Sequence, residues 1–249
     1  MRFILPLFLS VLTSCTIYTP LQPPAPAIRA KGDLDASVGL RLSTHVEGSA
    51  TYSPLNHVLV RLAGGGTPLP PAGPTVQFAM AQVEGSLGTY WPLGPRWMAG
   101  GLAGLGIGRS RLRYPQSIYG ENYRARFRRP YGEVYLQWYA SPYVAVGTTY
   151  RLTQARYSSF TNAGVPTAVR NVVRSEPLLF VRTGPDRNTA SGAIQGQLSI
   201  GLSTAHGPRQ HRTGDITAPP MYQAKLSTIY TTLCLIVRPH LLWQPKSRL

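Results

Sequence analysis

Along most of this chain, apolar residues alternate with small or polar ones. Across 36–43 the even positions are Ala36, Val38, Leu40 and Leu42, and between them stand Ser37, Gly39, Arg41 and Ser43. The same two-residue period runs through 46–52, 58–63, 79–91, 133–140, 144–153 and 194–202. It is the period of strands that bury one face, and no stripe of period 3.6 competes with it. The stretch "WMAGGLAGLGIGRSRLR" over 97–113 looks at first like a glycine-rich loop. A phosphate-cradling loop sits between a strand and a helix, whereas here the alternation continues straight through the glycines. Trp97, Ala99, Gly101, Ala103, Leu105 and Ile107 share one face, and Gly100, Gly104, Gly106 and Gly108 the other. The stretch reads as one long strand, whose missing side chains leave room for large residues or for curvature.

The pattern predicts an all-β, antiparallel fold of ten strands near 34–43, 46–53, 58–63, 76–91, 96–113, 128–140, 143–155, 178–183, 193–203 and 227–238. The weakest signals are 178–183 and the 36–52 hairpin, so eight strands is the alternative. The connections are of two kinds. "TYSPLNHVLV", "TYWPLGPRWMAG" and "WYASPYVAVG" each pass from aromatic residues through a Pro-containing turn into an alternating strand. "VRTGPDRNTASGAIQG" is a degenerate fourth copy of this weak repeat. Between the copies lie longer segments at 64–74, 114–127, 155–176 and 204–226. Tight turns at one end and long loops at the other suit an up-and-down transmembrane barrel.

Periodicity alone does not separate such a barrel, apolar outside, from a soluble sandwich, apolar inside. Three features favour the barrel. Tyr52, Tyr90, Trp91, Trp97, Trp138, Tyr139 and Tyr143 all flank the short turns, where an aromatic girdle meets lipid headgroups. From Trp97 to Arg109 the strand advances about 40 Å, which rises on the order of 30 Å when tilted as barrel strands are. The polar faces carry Arg41, Arg61 and Arg151 together with Glu47, Glu84 and Glu133. Glu133 and Arg151 stand at nearly equal distances from the turn near 142, and Arg41 and Glu47 are symmetric about Thr44, so charges that lipid would reject can pair in a lumen.

On these dyad repeats, turn asymmetry and aromatic positions, residues 34–243 resemble the small outer-membrane β-barrel proteins of Gram-negative bacteria, the OmpA-like and OmpX-like class. Such families close with a strand ending in an aromatic residue. Trp243 takes that place in "STIYTTLCLIVRPHLLW", although Pro239 interrupts the strand and 244–249 trail beyond it as a tail. The resemblance implies a filled lumen, outward loops and the outer membrane as location.

The beginning of the chain agrees with export. Arg2 and the apolar run Phe3 to Leu12 form a secretory signal over 1–14, too short to span as a helix. Leu12-Thr13-Ser14-Cys15 resembles a bacterial lipobox, which makes Cys15 the expected lipid attachment site on the periplasmic side; the alternative is an ordinary signal with an unrelated cysteine. Residues 15–33 then read as a Pro-rich tether. With Cys15 acylated, Cys234 has no disulfide partner. No His/Cys cluster has metal-ligand spacing, and no cofactor is expected.

Basic residues number 25 against 9 acidic ones, +16, and losing Arg2 with the signal leaves 24 against 9, or +15. Such a charge calls for an anionic partner, and a secretory signal argues against nucleic acid. Arg109, Arg111 and Arg113 end one strand, while Arg124, Arg126, Arg128 and Arg129 lead into the next. Opposed strands would gather them into a rim for lipid phosphates, those of lipopolysaccharide included; the plain alternative is a solvated basic loop. The reading that follows is a non-enzymatic, monomeric barrel with a structural or surface-interaction role. A barrel enzyme acting on lipids would need a nucleophile and base, for which His45 with Ser43 and Glu47, or His206 with Ser203, are the candidates. A lipid-anchored soluble β-sandwich is the third reading.

Overall fold

The computed structural model describes residues 16–41, 45–68, 76–116, 121–185, 190–207 and 223–242. Its strands are β1 (Leu34–Arg41), β2 (Val46–Tyr52), β3 (Leu59–Gly66), β4 (Gln77–Pro92), β5 (Trp97–Arg113), β6 (Asn122–Ser141), β7 (Val144–Asn162), β8 (Val165–Pro166), β9 (Asn171–Thr183), β10 (Ile194–Ala205) and β11 (Thr228–Val237). Successive long strands pair antiparallel, and β1 pairs with β11 from Ala36↔Val237 to Arg41↔Thr232. The sheet therefore closes into a ring of ten. The two-residue β8 stands outside the ring and folds back on β7. Ten strands are present, with both weak signals among them: the 36–52 hairpin is β1–β2, and 178–183 is the end of β9.

Outside and inside are reversed relative to a soluble protein. Leu62, Leu87, Leu105 and Leu233 are each more than 60% exposed on the outer surface. Arg61, Arg151, Glu133 and Gln137 are buried inside. A closed barrel with that polarity is built to stand in a bilayer, where every backbone group must be satisfied within the ring. A sandwich of two packed sheets is not what forms.

Three strands run further than expected toward the long loops. β6 begins at Asn122, β7 continues to Asn162 and β9 starts at Asn171, so much of 114–127 and 155–176 is strand rather than loop. The reason is a change of phase. In these extensions Tyr123, Phe127, Tyr157 and Phe160 point inward and are buried, while Arg124, Arg126, Arg128 and Arg156 point outward. Above the apolar belt the ring meets water, and the ordinary rule of apolar inside returns. A β-bulge between Arg126 and Phe127 leaves Ser158 and Ser159 both exposed on β7.

The lumen is packed in layers. At the loop end Ile17, Tyr18, Leu112, Tyr123, Phe127 and Phe160 belong to one apolar cluster. At the turn end Ile28, Leu59, Tyr90, Met98, Tyr135 and Phe180 belong to another. Charged side chains fill the middle. The aromatic girdle is correspondingly smaller than the sequence suggests: Tyr52, Trp91, Trp97, Trp138 and Tyr143 face outward, but Tyr90 and Tyr139 are buried in the lumen.

The largest departure concerns the Pro-rich segment. It is no tether, at least over the described residues from Thr16: the chain runs down the inside of the barrel. Ile17, Tyr18, Leu21 and Ile28 are completely buried. The Tyr18 hydroxyl donates to Glu176 at 2.9 Å, Gln22 Nε2 to Thr149 Oγ1 at 2.6 Å, and Arg238 to the Ala27 carbonyl at 2.7 Å. The Leu21 carbonyl accepts from Arg151, and Gln22 accepts from Tyr230. Proline suits this path because it has no N–H to leave unsatisfied. At the turn end the chain reverses through Gly32, at φ 88°, and its N–H donates to the Ser53 carbonyl at 2.8 Å. After β11, Pro239 starts a single helical turn, α1 (Pro239–Leu242), whose His240 sits 3.0 Å from the Leu34 backbone. The signal region, Cys15, Ser43, Trp243 and the 244–249 tail lie outside the described residues.

Candidate functional site

Two arrangements follow from this architecture, one inside the ring and one on its surface. Inside, β1, β2, β3, β4, β6, β7 and β9 each aim charged residues at the axis. Arg41 meets Glu47 at 2.9 Å across the β1–β2 hairpin. Glu133 on β6 lies opposite Arg151 on β7 in register, at 2.6 Å, and also accepts from Arg61 of β3 at 3.0 Å. Glu84 on β4 takes Arg151 at 3.1 Å and Arg129 at 2.6 Å. Five of these groups thus form one chain, Arg61–Glu133–Arg151–Glu84–Arg129, reaching across β3, β4, β6 and β7. The Tyr131 hydroxyl donates to Glu84 at 3.0 Å, and the Arg151 guanidinium lies 4.1 Å from the Tyr131 ring centroid. Burying these charges carries a large desolvation cost, which their mutual pairing and added hydrogen bonds offset.

Arg129 belongs here and not to the rim. It follows Arg128 in the strand, so it points to the opposite face, and the alternation that places Arg124, Arg126 and Arg128 outside puts Arg129 inside, fully buried. Arg174 and Glu176 of β9, which fall within the long 155–176 connection of the sequence pattern, join the same layer: Arg174 donates to Ser203 Oγ at 2.8 Å, and Glu176 accepts from Thr153 at 3.1 Å. Continuing the dyad count from 178–183 back toward 171 would have found both.

The glycines of β5 make room for this layer. Gly104 pairs with Tyr131, Gly106 with Arg129 and Gly108 with Phe127 in the β5–β6 register. A Cβ on Gly106 would sit 2.8 Å from Arg129 Nε, and one on Gly108 would sit 2.5 Å from the Phe127 ring. Bare backbone on β5 is what lets the large β6 side chains lie flat against the wall.

On the outer surface, just above the apolar belt, the same register stacks arginine on arginine. Arg109 is directly opposite Arg126, and Arg111 is opposite Arg124. Arg128 is opposite Arg156 on the next strand, and Arg113 ends β5. All are exposed, and among the described residues no carboxylate pairs with Arg109, Arg111, Arg113, Arg124, Arg126 or Arg128. Arg109, Arg111, Arg124 and Arg126 line a hollow of about 470 Å³ beside Ala79 and Ala81. A second of about 470 Å³ lies next to it, shares Arg109 and Arg126, and includes Arg128, Val83 and Ile107. Cationic walls above and aliphatic ones below form a slot suited to an amphiphile with an anionic head.

Of the two hydrolase-like trios, the first turns on Ser43, which lies outside the described residues; its His45 is buried in the lumen beside Arg41 and Glu47. Ser203 also faces the lumen, whereas His206 turns outward and lies 2.6 Å from Ser175 Oγ, itself 2.8 Å from the Tyr150 hydroxyl. Among the described residues no carboxylate orients His206 as a Ser-His-Asp arrangement requires. Cys234 is a buried free thiol, and no group of metal-binding side chains occurs among the described residues.

No family model matches this chain, and no curated protein does. Among solved structures, the outer membrane protease OmpT from Escherichia coli aligns over 84% of this chain and 94% of its own, at 10% identity and a TM-score of 0.46. The NanC porin aligns over 82% and 98%, at 12% identity and TM-score 0.36. CarO2 of Acinetobacter baumannii aligns over 84% and 100%, at 10% identity and TM-score 0.28. Likenesses of this size do not say what the chain binds or does.

Proposed function

We propose that this protein is a non-enzymatic β-barrel of the bacterial outer membrane, with a closed lumen and a surface belt of arginines that binds the phosphates of outer-leaflet lipids. Lipopolysaccharide is the natural source of such phosphates there. Short turns at one end and longer connections at the other support an orientation with the long loops outside. The observation that carries the reading is the outward pairing of Arg109 with Arg126 and of Arg111 with Arg124. Like charges placed directly opposite destabilise a strand pair, and an anion between them removes that cost while forming charge-assisted, bidentate hydrogen bonds. The neighbouring aliphatic hollow then receives the acyl part of the same molecule.

The test is replacement of Arg109, Arg111, Arg124 and Arg126 by glutamine in the full chain. Purified from membranes in mild detergent, the variant retains much less lipid phosphate per barrel than the parent, and cells carrying it become more sensitive to detergent and polymyxin. Equal phosphate retention in a correctly folded variant, shown by heat-modifiable migration on a gel, overturns the proposal.

A further inference from the structure

The path of the N-terminal segment fixes where it comes from. Asp33 lies at the turn end, with the Ser53 N–H donating to its carbonyl at 3.0 Å. Arg29 covers the Tyr139 ring at 4.2 Å beside the β6–β7 turn. Thr16 lies at the opposite end, where its hydroxyl donates to the Gln223 carbonyl at 3.2 Å in the long connection between β10 and β11. Next to it the Tyr18 and Phe127 ring centroids are 5.7 Å apart, in the part of β6 above the belt. Thirteen extended steps from Thr16 to Arg29, at about 3.1 Å each, give roughly 40 Å, enough to cross the whole ring. The contacts come from all sides: Gln82 of β4, Thr149 and Arg151 of β7, Glu176 of β9 and Tyr230 of β11.

We infer that the chain enters its own barrel from the loop end, so that whatever precedes Thr16 is presented on the outer face of the membrane and not in the periplasm. The side named "outer" rests on the orientation proposed above. A buried arginine at each level, Arg151 on the Leu21 carbonyl, Arg182 on Ala25 and Arg238 on Ala27, holds the segment by its backbone. That grip reads the path of the chain and not its side chains, as a threaded peptide of proline and alanine requires.

Three single-epitope versions of the full chain test this in cells: one between Cys15 and Thr16, one at Gly164 in the β7–β8 turn, and one at Gly94 in the β4–β5 turn. Antibody on intact cells is expected to reach the first two equally, and the third only after permeabilisation. If the Gly164 epitope is reached and the one before Thr16 is not, the inference fails while the proposed location survives. If the Gly164 epitope is not reached, the orientation fails and the inference with it. A variant with no insertion covers the case where the first epitope prevents folding. A photoreactive benzoylphenylalanine at Tyr18 should cross-link, on irradiation, to the peptide containing Phe127; a folded barrel without that product also overturns the inference.

Discussion

Glu133 is the best place to ask whether the lumen is dry. Its two oxygens take Arg61 at 3.0 Å and Arg151 at 2.6 Å, and all three side chains are at most 1% exposed. Replacing it by alanine does not affect the two arginines equally. Arg151 keeps Glu84 at 3.1 Å. Arg61 loses its ion pair, and its Nε and Nη2 already lack partners. One guanidinium is thereby stranded in the interior. Breaking a buried pair from one side costs about 3–5 kcal/mol, whereas an exposed pair is worth roughly 0–1. The expected loss for Glu133→Ala is therefore in the upper range. Removing both partners, in Arg61→Ala with Glu133→Ala, should recover part of it. The measurement is urea unfolding of the barrel in phospholipid vesicles, followed by tryptophan fluorescence, for the four members of the double-mutant cycle. A single-mutant loss below about 1 kcal/mol, with no coupling between the sites, would mean that water enters and screens this layer. The description of a packed, charge-paired lumen would then be wrong.

Other expectations use the same geometry. Gly106→Leu drives a Cβ to 2.8 Å from Arg129 Nε and should cost about 1–3 kcal/mol by overpacking, while Gly132→Ala, with nothing within 4 Å, should be nearly neutral in the same unfolding assay. Leu105→Arg places a charge on the lipid face and should destabilise by about 2–4 kcal/mol if that position is near the midplane. Arg109→Leu, just above the belt, should change stability little, and equal effects from the two would contradict the assigned belt. Deleting residues 16–29 removes the threaded segment and should convert a silent barrel into one with stepwise conductance in planar bilayers. Anions should be preferred, because buried arginines outnumber buried carboxylates in the described lumen. A deletion variant that folds and stays silent would show that the segment is not what closes the lumen.

How much of this was legible beforehand depends on which side of the membrane surface a residue lies. Within the apolar belt the strands are legible from their period of two, because lipid outside and charge inside make the two faces chemically opposite; β9 is the exception, since its Glu176 stands opposite Arg151 in the middle layer although the pattern marks only 178–183 as strand. The partners Arg41 with Glu47 and Glu133 with Arg151 fall on the same face for that reason, and the glycines of β5 are legible as space for neighbours. Above the belt the same strands continue, but water replaces lipid and the apolar residues move to the inner face. Tyr123, Phe127, Tyr157 and Phe160 therefore look out of phase, and their segments read as loops. Arg129 sits where these two regimes meet, and its side is decided by the strand's parity, not by its neighbours in sequence.

The sequence by itself determined an all-β chain, its alternation, its ten strand signals and its excess of positive charge, since these depend only on local period and composition. Only the tertiary structure decided that Glu84 would hold two arginines from other strands, that Arg109 would stand opposite Arg126, and that a Pro-rich stretch would be a plug. The first two depend on strand register and on closure of the ring. The third has a simpler cause: a segment without hydrogen-bonding period looks the same in sequence whether it floats in water or lies in a channel, and only the arginines, tyrosine and glutamine side chains arriving from distant strands give its carbonyls and its Gln22 the partners that burial demands.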